Sequence, residues 1–201
     1  MVYGFKLVSF FLGITALCVF ASQTAQEYTY GTLRNLLVRQ PARMKILIGK
    51  WIAMSIFAKV LVIVTALVSI ASSYALSGKG GVSTEAWLTS EGLHYFVLTL
   101  INIILATIGF GTLGMILGLL FRSPITSIAV GVLWTLILES ILLAALPSTA
   151  PWLPGANIGN IAQGGGSNGV AYTHSLWVSA LFLLLASAIV AALFKRRDVA
   201  N

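Results

Sequence analysis

Residues 93–121 read LHYFVLTLINIILATIGFGTLGMILGLLF, with no Lys, Arg, Asp or Glu among them. A run of that length exceeds the roughly 20 apolar residues that cross a bilayer as a helix. Four further apolar runs accompany it: Phe5–Ala25, Trp51–Leu76, Ile125–Leu146 and Leu176–Phe194. Backbone groups in hydrocarbon cannot be left unpaired, so a span is either a helix or part of a closed barrel. Barrel strands give short alternating segments. These runs are continuous and rich in Leu, Ile, Ala and Val, which favours helices. Composition agrees. Hydrophobic residues make up 58% and charged residues 8%, whereas a soluble domain carries about 25% charge. The reading is an all-α integral membrane fold: about five transmembrane helices in a single domain over residues 1–201, with a cytoplasmic amphipathic helix between the first two.

The connections differ in charge. Gln26–Lys50 holds Arg34, Arg39, Arg43, Lys45 and Lys50 against Glu27 alone. The second, Ser77–Gly92, holds Lys79, Glu85 and Glu91. The third is the short turn Arg122–Ser123–Pro124, with Pro124 where proline commonly opens a helix. The fourth, Pro147–Ser175, has no charged residue and is rich in glycine and proline. The tail carries Lys195, Arg196, Arg197 and Asp198. Lys and Arg accumulate in cytoplasmic loops. The first and third connections and the tail are therefore expected inside, the second and fourth outside. This puts the C-terminus in the cytoplasm and the N-terminus outside.

The first connection carries the most chemistry. Thr32 can accept a backbone N–H at a helix start. Leu33, Leu36 and Leu37 then share one face, Arg34 lies off it, and Pro41 closes the short helix. The stretch Ala42–Lys50 leads into the next span. An amphipathic helix at the inner membrane surface follows, serving either as an interfacial anchor on lipid phosphates or as a dock for a cytoplasmic partner.

The pattern Glu27-x-x-x-Gly31-Thr32-x-Arg34-x-Leu36-Leu37, followed by Pro41-x-Arg43 and Gly49-Lys50, resembles the permease subunits of the type-two ATP-binding cassette (ABC) exporter family. The ending Phe194-Lys-Arg-Arg197-Asp198-Val199 is similar to theirs as well. The resemblance implies that segment 27–50 is a coupling segment. It would rest on a separate ATP-binding subunit that supplies ATP, Mg and hydrolysis. It also implies a second permease copy, or a related permease, to complete a path. Glu27 would stand at the inner boundary, accepting backbone N–H bonds or pairing with Arg34. The family usually has six spans, with this segment after the second. Here it follows the first, so the expectation is either a missing N-terminal span or a five-span variant.

Other features are weighed singly. Ser77-Gly-Lys79-Gly-Gly-Val-Ser83-Thr84 fails the phosphate-loop spacing. The chain is therefore not expected to hydrolyse ATP, and no cofactor is expected in it. No carboxylate pair, His cluster or nucleophile–base spacing lies within the spans. His94, His174 and Cys18 stand at no metal-ligand spacing, and nothing suggests nucleic acid. Glu139 lies inside the fourth span, where ionisable residues usually have a role. It falls about 12 Å below the outer edge at about 1.5 Å per residue. Asn102 sits at similar depth in the third span. The two could form a structural hydrogen-bonded pair or line a substrate path. Lys59, two turns into the second span, is expected to snorkel to the inner interface. Gly114-x-x-x-Gly118 permits close helix contact without naming the partner. The rival to transport is a membrane assembly or immunity factor. The cargo is not named by the sequence.

Overall fold

The computed structural model describes residues 2–32, 38, 42–81 and 83–196. Its helices are α1 (Val2–Thr29), α2 (Arg43–Ser77), α3 (Ser90–Phe121), α4 (Pro124–Ala145), α5 (Pro154–Gln163) and α6 (Tyr172–Arg196). Three-residue to six-residue 3-10 turns stand at Glu85–Leu88, Pro147–Trp152 and Ser167–Gly169. All of these elements are helical, and five of them (α1, α2, α3, α4 and α6) are long and apolar enough to cross a membrane.

Local chemistry sets the ends. Thr89 accepts the Gly92 N–H at 3.2 Å and so opens α3. Arg122 closes it in the left-handed region at φ 55°, with its N–H on the Gly118 carbonyl. Ser123 then caps α4, and Pro124 takes the first-turn position expected of it. The Ser127 hydroxyl bonds the Leu117 carbonyl at 3.1 Å, which folds α4 back onto α3. One boundary differs from the hydropathy reading: α2 begins at Arg43, eight residues before Trp51. Charged residues end an apolar run but do not end a helix. Arg, Met, Lys, Ile and Leu all propagate one.

α3 is the central element. In its apolar stretch 67% of residues are buried, against 11% in α4 and in α6. α1 lies beside α3, and the two run in the same direction. Gly13, Leu17 and Ala21 face Phe110, Gly114 and Gly118 in steps of four. A Cβ at Gly118 would lie 2.8 Å from the Ala21 carbonyl oxygen, and one at Gly111 would lie 2.7 Å from the Phe20 ring. At Gly114 it would overlap the Leu17 carbonyl itself. The Gly114–Gly118 pair therefore has a named partner, the α1 backbone. Small residues let two helices approach where lipid supplies no hydrophobic drive between them. Two buried clusters flank this seam. One joins Phe5, Leu12, Val62, Ile103, Phe110 and Ile158. The other joins Ala16, Phe20, Met54, Ala58, Met115 and Val190.

Replacing Gly114 by leucine must push α1 away from α3. Gly114→Leu is expected to cost at least about 2 kcal/mol, measured as a shift in unfolding by denaturing detergent. Gly49 has open space around it, so Gly49→Leu should leave the midpoint unchanged. Equal behaviour of the two variants would refute the seam.

Candidate functional site

The fourth connection contains α5, a ten-residue helix with seven residues buried among the spans. Its first turn has no capping side chain of its own, because the preceding residue is Leu153. The free N–H groups are met from another span. Gly155 donates to Glu139 Oε1 at 2.9 Å and Ala156 to Oε2 at 2.6 Å. Pro154, at the first position, has no N–H to satisfy. Glu139 is only 2% exposed. A Cβ at Gly155 would stand 2.7 Å from its Oε2, so glycine admits the carboxyl group to the helix end.

The geometry of α4 aims this carboxyl. Residues Leu133–Leu138 form a π-turn, with the Glu139 N–H on the Trp134 carbonyl. A π-turn brings residues five apart nearly into line, whereas an α-helix would rotate them well away from each other. Trp134 Nε1 consequently reaches Glu139 Oε1 at 2.7 Å. Both carboxyl oxygens are engaged by α4 and α5.

The opposite end of α5 meets a base. Lys6 Nζ, from α1, donates to the Gln163 carbonyl at 2.8 Å and to the Tyr95 hydroxyl at 2.9 Å. Gly164 then turns the chain at φ 86°. An acid at the N-terminus of a helix and a base at its C-terminus both complement its dipole. The flank is also polar and saturated. Asn157 Nδ2 donates to the carbonyls of Ala150, Pro151 and Leu153. Ser175 Oγ donates to Asn157 Oδ1 at 2.9 Å and accepts from Asn160 Nδ2 at 2.7 Å.

Asn102 and Glu139 do not bond each other. Asn102 Oδ1 accepts from Tyr172 at the start of α6 at 2.6 Å, while Glu139 holds α5. The two polar residues fasten the same connection at different points. Sequence reading found their depth but not their partners, because a backbone N–H carries no side-chain signature. The sequence places Lys6 at the outer end of the first run, Trp134 deep in the fourth, and Asn157 and Asn160 in the outer connection, but gives none of them a partner. Pro154, the third of three closely spaced prolines after Pro147 and Pro151, is the available signal of a new helix start.

At the other end of the bundle, Glu27 pairs with Lys50 at 2.6 Å. Lys50 Nζ also donates to the Gln23 carbonyl. The expected partner, Arg34, lies outside the described residues, as do Leu36, Leu37 and Pro41. Gly31 adopts φ 68°, and Thr32 beyond it is exposed. Arg43 donates to the Phe194 carbonyl at 3.2 Å, tying α2 to the end of α6. Above this tie an apolar groove of about 630 Å³ runs between α2, α3 and α6, lined by Trp51, Leu105, Met115, Leu119, Leu183 and Leu184 among others. Trp51 Nε1 is held there by Thr112 Oγ1 at 2.9 Å.

Removing the acid should unfasten α5. Glu139→Gln, which keeps one acceptor, is expected to cost about 1–2 kcal/mol, and Glu139→Leu about 3 kcal/mol or more, because it strands two N–H groups. Amide hydrogen exchange at Gly155 and Ala156 should rise in the same order. Unchanged exchange in Glu139→Leu would show that the carboxyl does not cap the helix.

Over residues 2–200 the chain matches a family described as Protein of unknown function (DUF2705). It is similar to the uncharacterized protein YhcI of Bacillus subtilis (strain 168), with 23% identity over 205 residues. The alignment covers 94% of this chain and 65% of that protein, so the chain spans a little under two thirds of its relative's length. No solved structure matches it. The match across nearly its whole length makes this chain a member of the DUF2705 family.

Proposed function

We propose that this chain is the membrane-spanning permease subunit of an ABC transporter. It would export its substrate on ATP hydrolysed by a separate ATP-binding subunit. The observation that carries the reading is the fastening of the basic segment at both ends. Glu27–Lys50 joins α1 to α2 across the segment, and Arg43 joins its exit to α6. A force applied to residues 28–42 would therefore reach three spans at once, as a coupling element requires. The resemblance of Glu27, Gly31, Thr32, Arg34, Leu36, Leu37, Pro41 and Arg43 to a coupling segment supplies the nature of the partner.

In this reading the Lys50 end faces the cytoplasm and the α5 end faces outward. A second permease copy, or a related permease, completes the path within the cell membrane. The groove, with almost no polar lining, suits an apolar or amphipathic cargo. Glu139 acts as a fastener for α5 and not as a substrate ligand.

Two experiments test this. The first is co-purification with an ATP-binding subunit encoded nearby, followed by a substrate-stimulated ATPase assay on the reconstituted complex. Arg34→Glu should abolish the association. It is a cleaner variant than Arg43→Glu, which also breaks the bond to Phe194. Intact association in Arg34→Glu would count against docking at this segment. The second fixes orientation. In a Cys18→Ala background, Ser83→Cys should react with a membrane-impermeant thiol reagent on intact cells, and Val38→Cys only after lysis. The reverse pattern would invert the topology and end the coupling assignment.

A further inference from the structure

Lys59 stands at the middle of α2, on the outside of the bundle. It is the seventeenth residue of the 35-residue α2. Its neighbour Ala58 shares a buried cluster with Ala16 and Phe20, and Ala16 lies at the middle of α1. Lys50 already reaches the end of α1 at Gln23 and Glu27. The nine further residues to Lys59 rise by about 13 Å, close to half of a hydrocarbon core of about 30 Å. A four-carbon stem does not cover that rise, so snorkelling does not account for this lysine.

Lys59 is exposed. It forms neither a hydrogen bond nor an ion pair with any described residue. Ile52, Ile56 and Ile63, at 47%, 55% and 45% exposure, share its stripe of α2 at helical spacing. An ammonium facing lipid at this depth is costly, and such groups are ordinarily paired.

We propose that this stripe docks a helix of a second, non-identical membrane chain, one that carries a carboxylate at the depth of Lys59. The chain's own acids argue against a second copy. Of its five acidic residues, Glu27 is paired with Lys50, and Glu139 is buried with both oxygens engaged. Glu85 and Glu91 sit at or before the start of α3, and Asp198 follows the last span. No acid remains at mid-depth to meet Lys59 of another copy. Twofold pairing about this stripe would set ammonium against ammonium. The inference stands on membrane depth and charge, independently of the transport reading.

The test uses the full chain in phosphatidylcholine vesicles and a synthetic leucine-rich spanning peptide of about 22 residues. The peptide has either one central glutamate or leucine in its place, and association is read by fluorescence transfer. The glutamate peptide should bind the unaltered chain about tenfold more tightly than the leucine peptide. Lys59→Leu should abolish that preference, and Lys59→Arg should retain it. Equal binding of the two peptides, or a preference that survives in Lys59→Leu, overturns the proposal. Efficient disulfide crosslinking between copies through Ile56→Cys or Ile63→Cys overturns it in favour of a second copy.

Discussion

Backbone N–H and C=O groups inside hydrocarbon must find partners within the protein, and residues 147–171 are where this chain meets that constraint most severely. The segment leaves α4, turns, forms α5, turns again and enters α6, with its buried residues concentrated in α5. Continuous spans satisfy their backbones internally and need nothing further. A ten-residue helix leaves several groups open at each end. Glu139 meets the N-terminal groups, Lys6 meets the C-terminal carbonyl, and Asn157, Asn160 and Ser175 take the turns between. A chain with so few charges has placed two of them at the two ends of one short helix. The π-turn in α4 belongs to the same arrangement, since it brings Trp134 and Glu139 to one side.

The spans themselves are held by a different device. α1 and α3 meet backbone to backbone because Gly114 and Gly118 have no side chain to keep them apart. Dispersion between close surfaces drives such contact, since lipid tails solvate leucine as well as another helix does. The seam has a consequence for α5. Lys6 is carried by α1, while Gly109 of α3 packs against Ile158 of α5. The position of α5 thus depends on the register between α1 and α3.

Five helices long and apolar enough to cross a membrane were legible in the sequence, because length and apolarity are properties of the run alone. The burial of Glu139 was legible for the same reason. Its partners were not. Gly155 and Ala156 contribute backbone N–H groups, and nothing in their side chains announces that. For Glu27 the sequence suggests backbone N–H bonds or pairing with Arg34, which lies outside the described residues. Among the described residues Lys50 meets it from the next helix, because α2 begins at Arg43 and carries Lys50 back alongside α1. The hydropathy window stopped α2 at Trp51 and so hid the first two turns of the helix.

The two ends of the bundle are built to behave differently. At the Lys6 end the connection is held by many hydrogen bonds, and the buried ones made by Glu139, Asn157 and Asn160 would leave unpaired polar atoms in an apolar setting if broken. At the Lys50 end the ties include the partly exposed ion pair of Glu27 with Lys50, the Lys50 bond to the Gln23 carbonyl and the Arg43 bond to the Phe194 carbonyl, and an exposed ion pair is one that water can replace at little cost. The apolar groove lies between α2, α3 and α6, on the side of the bundle away from the α1–α3 seam's Gly114 contact with Leu17. In the proposed transport reading, a coupling segment acting at residues 28–42 would pull on α2 and α6 beside this groove, at the opposite end of the bundle from the buried fastenings of α5.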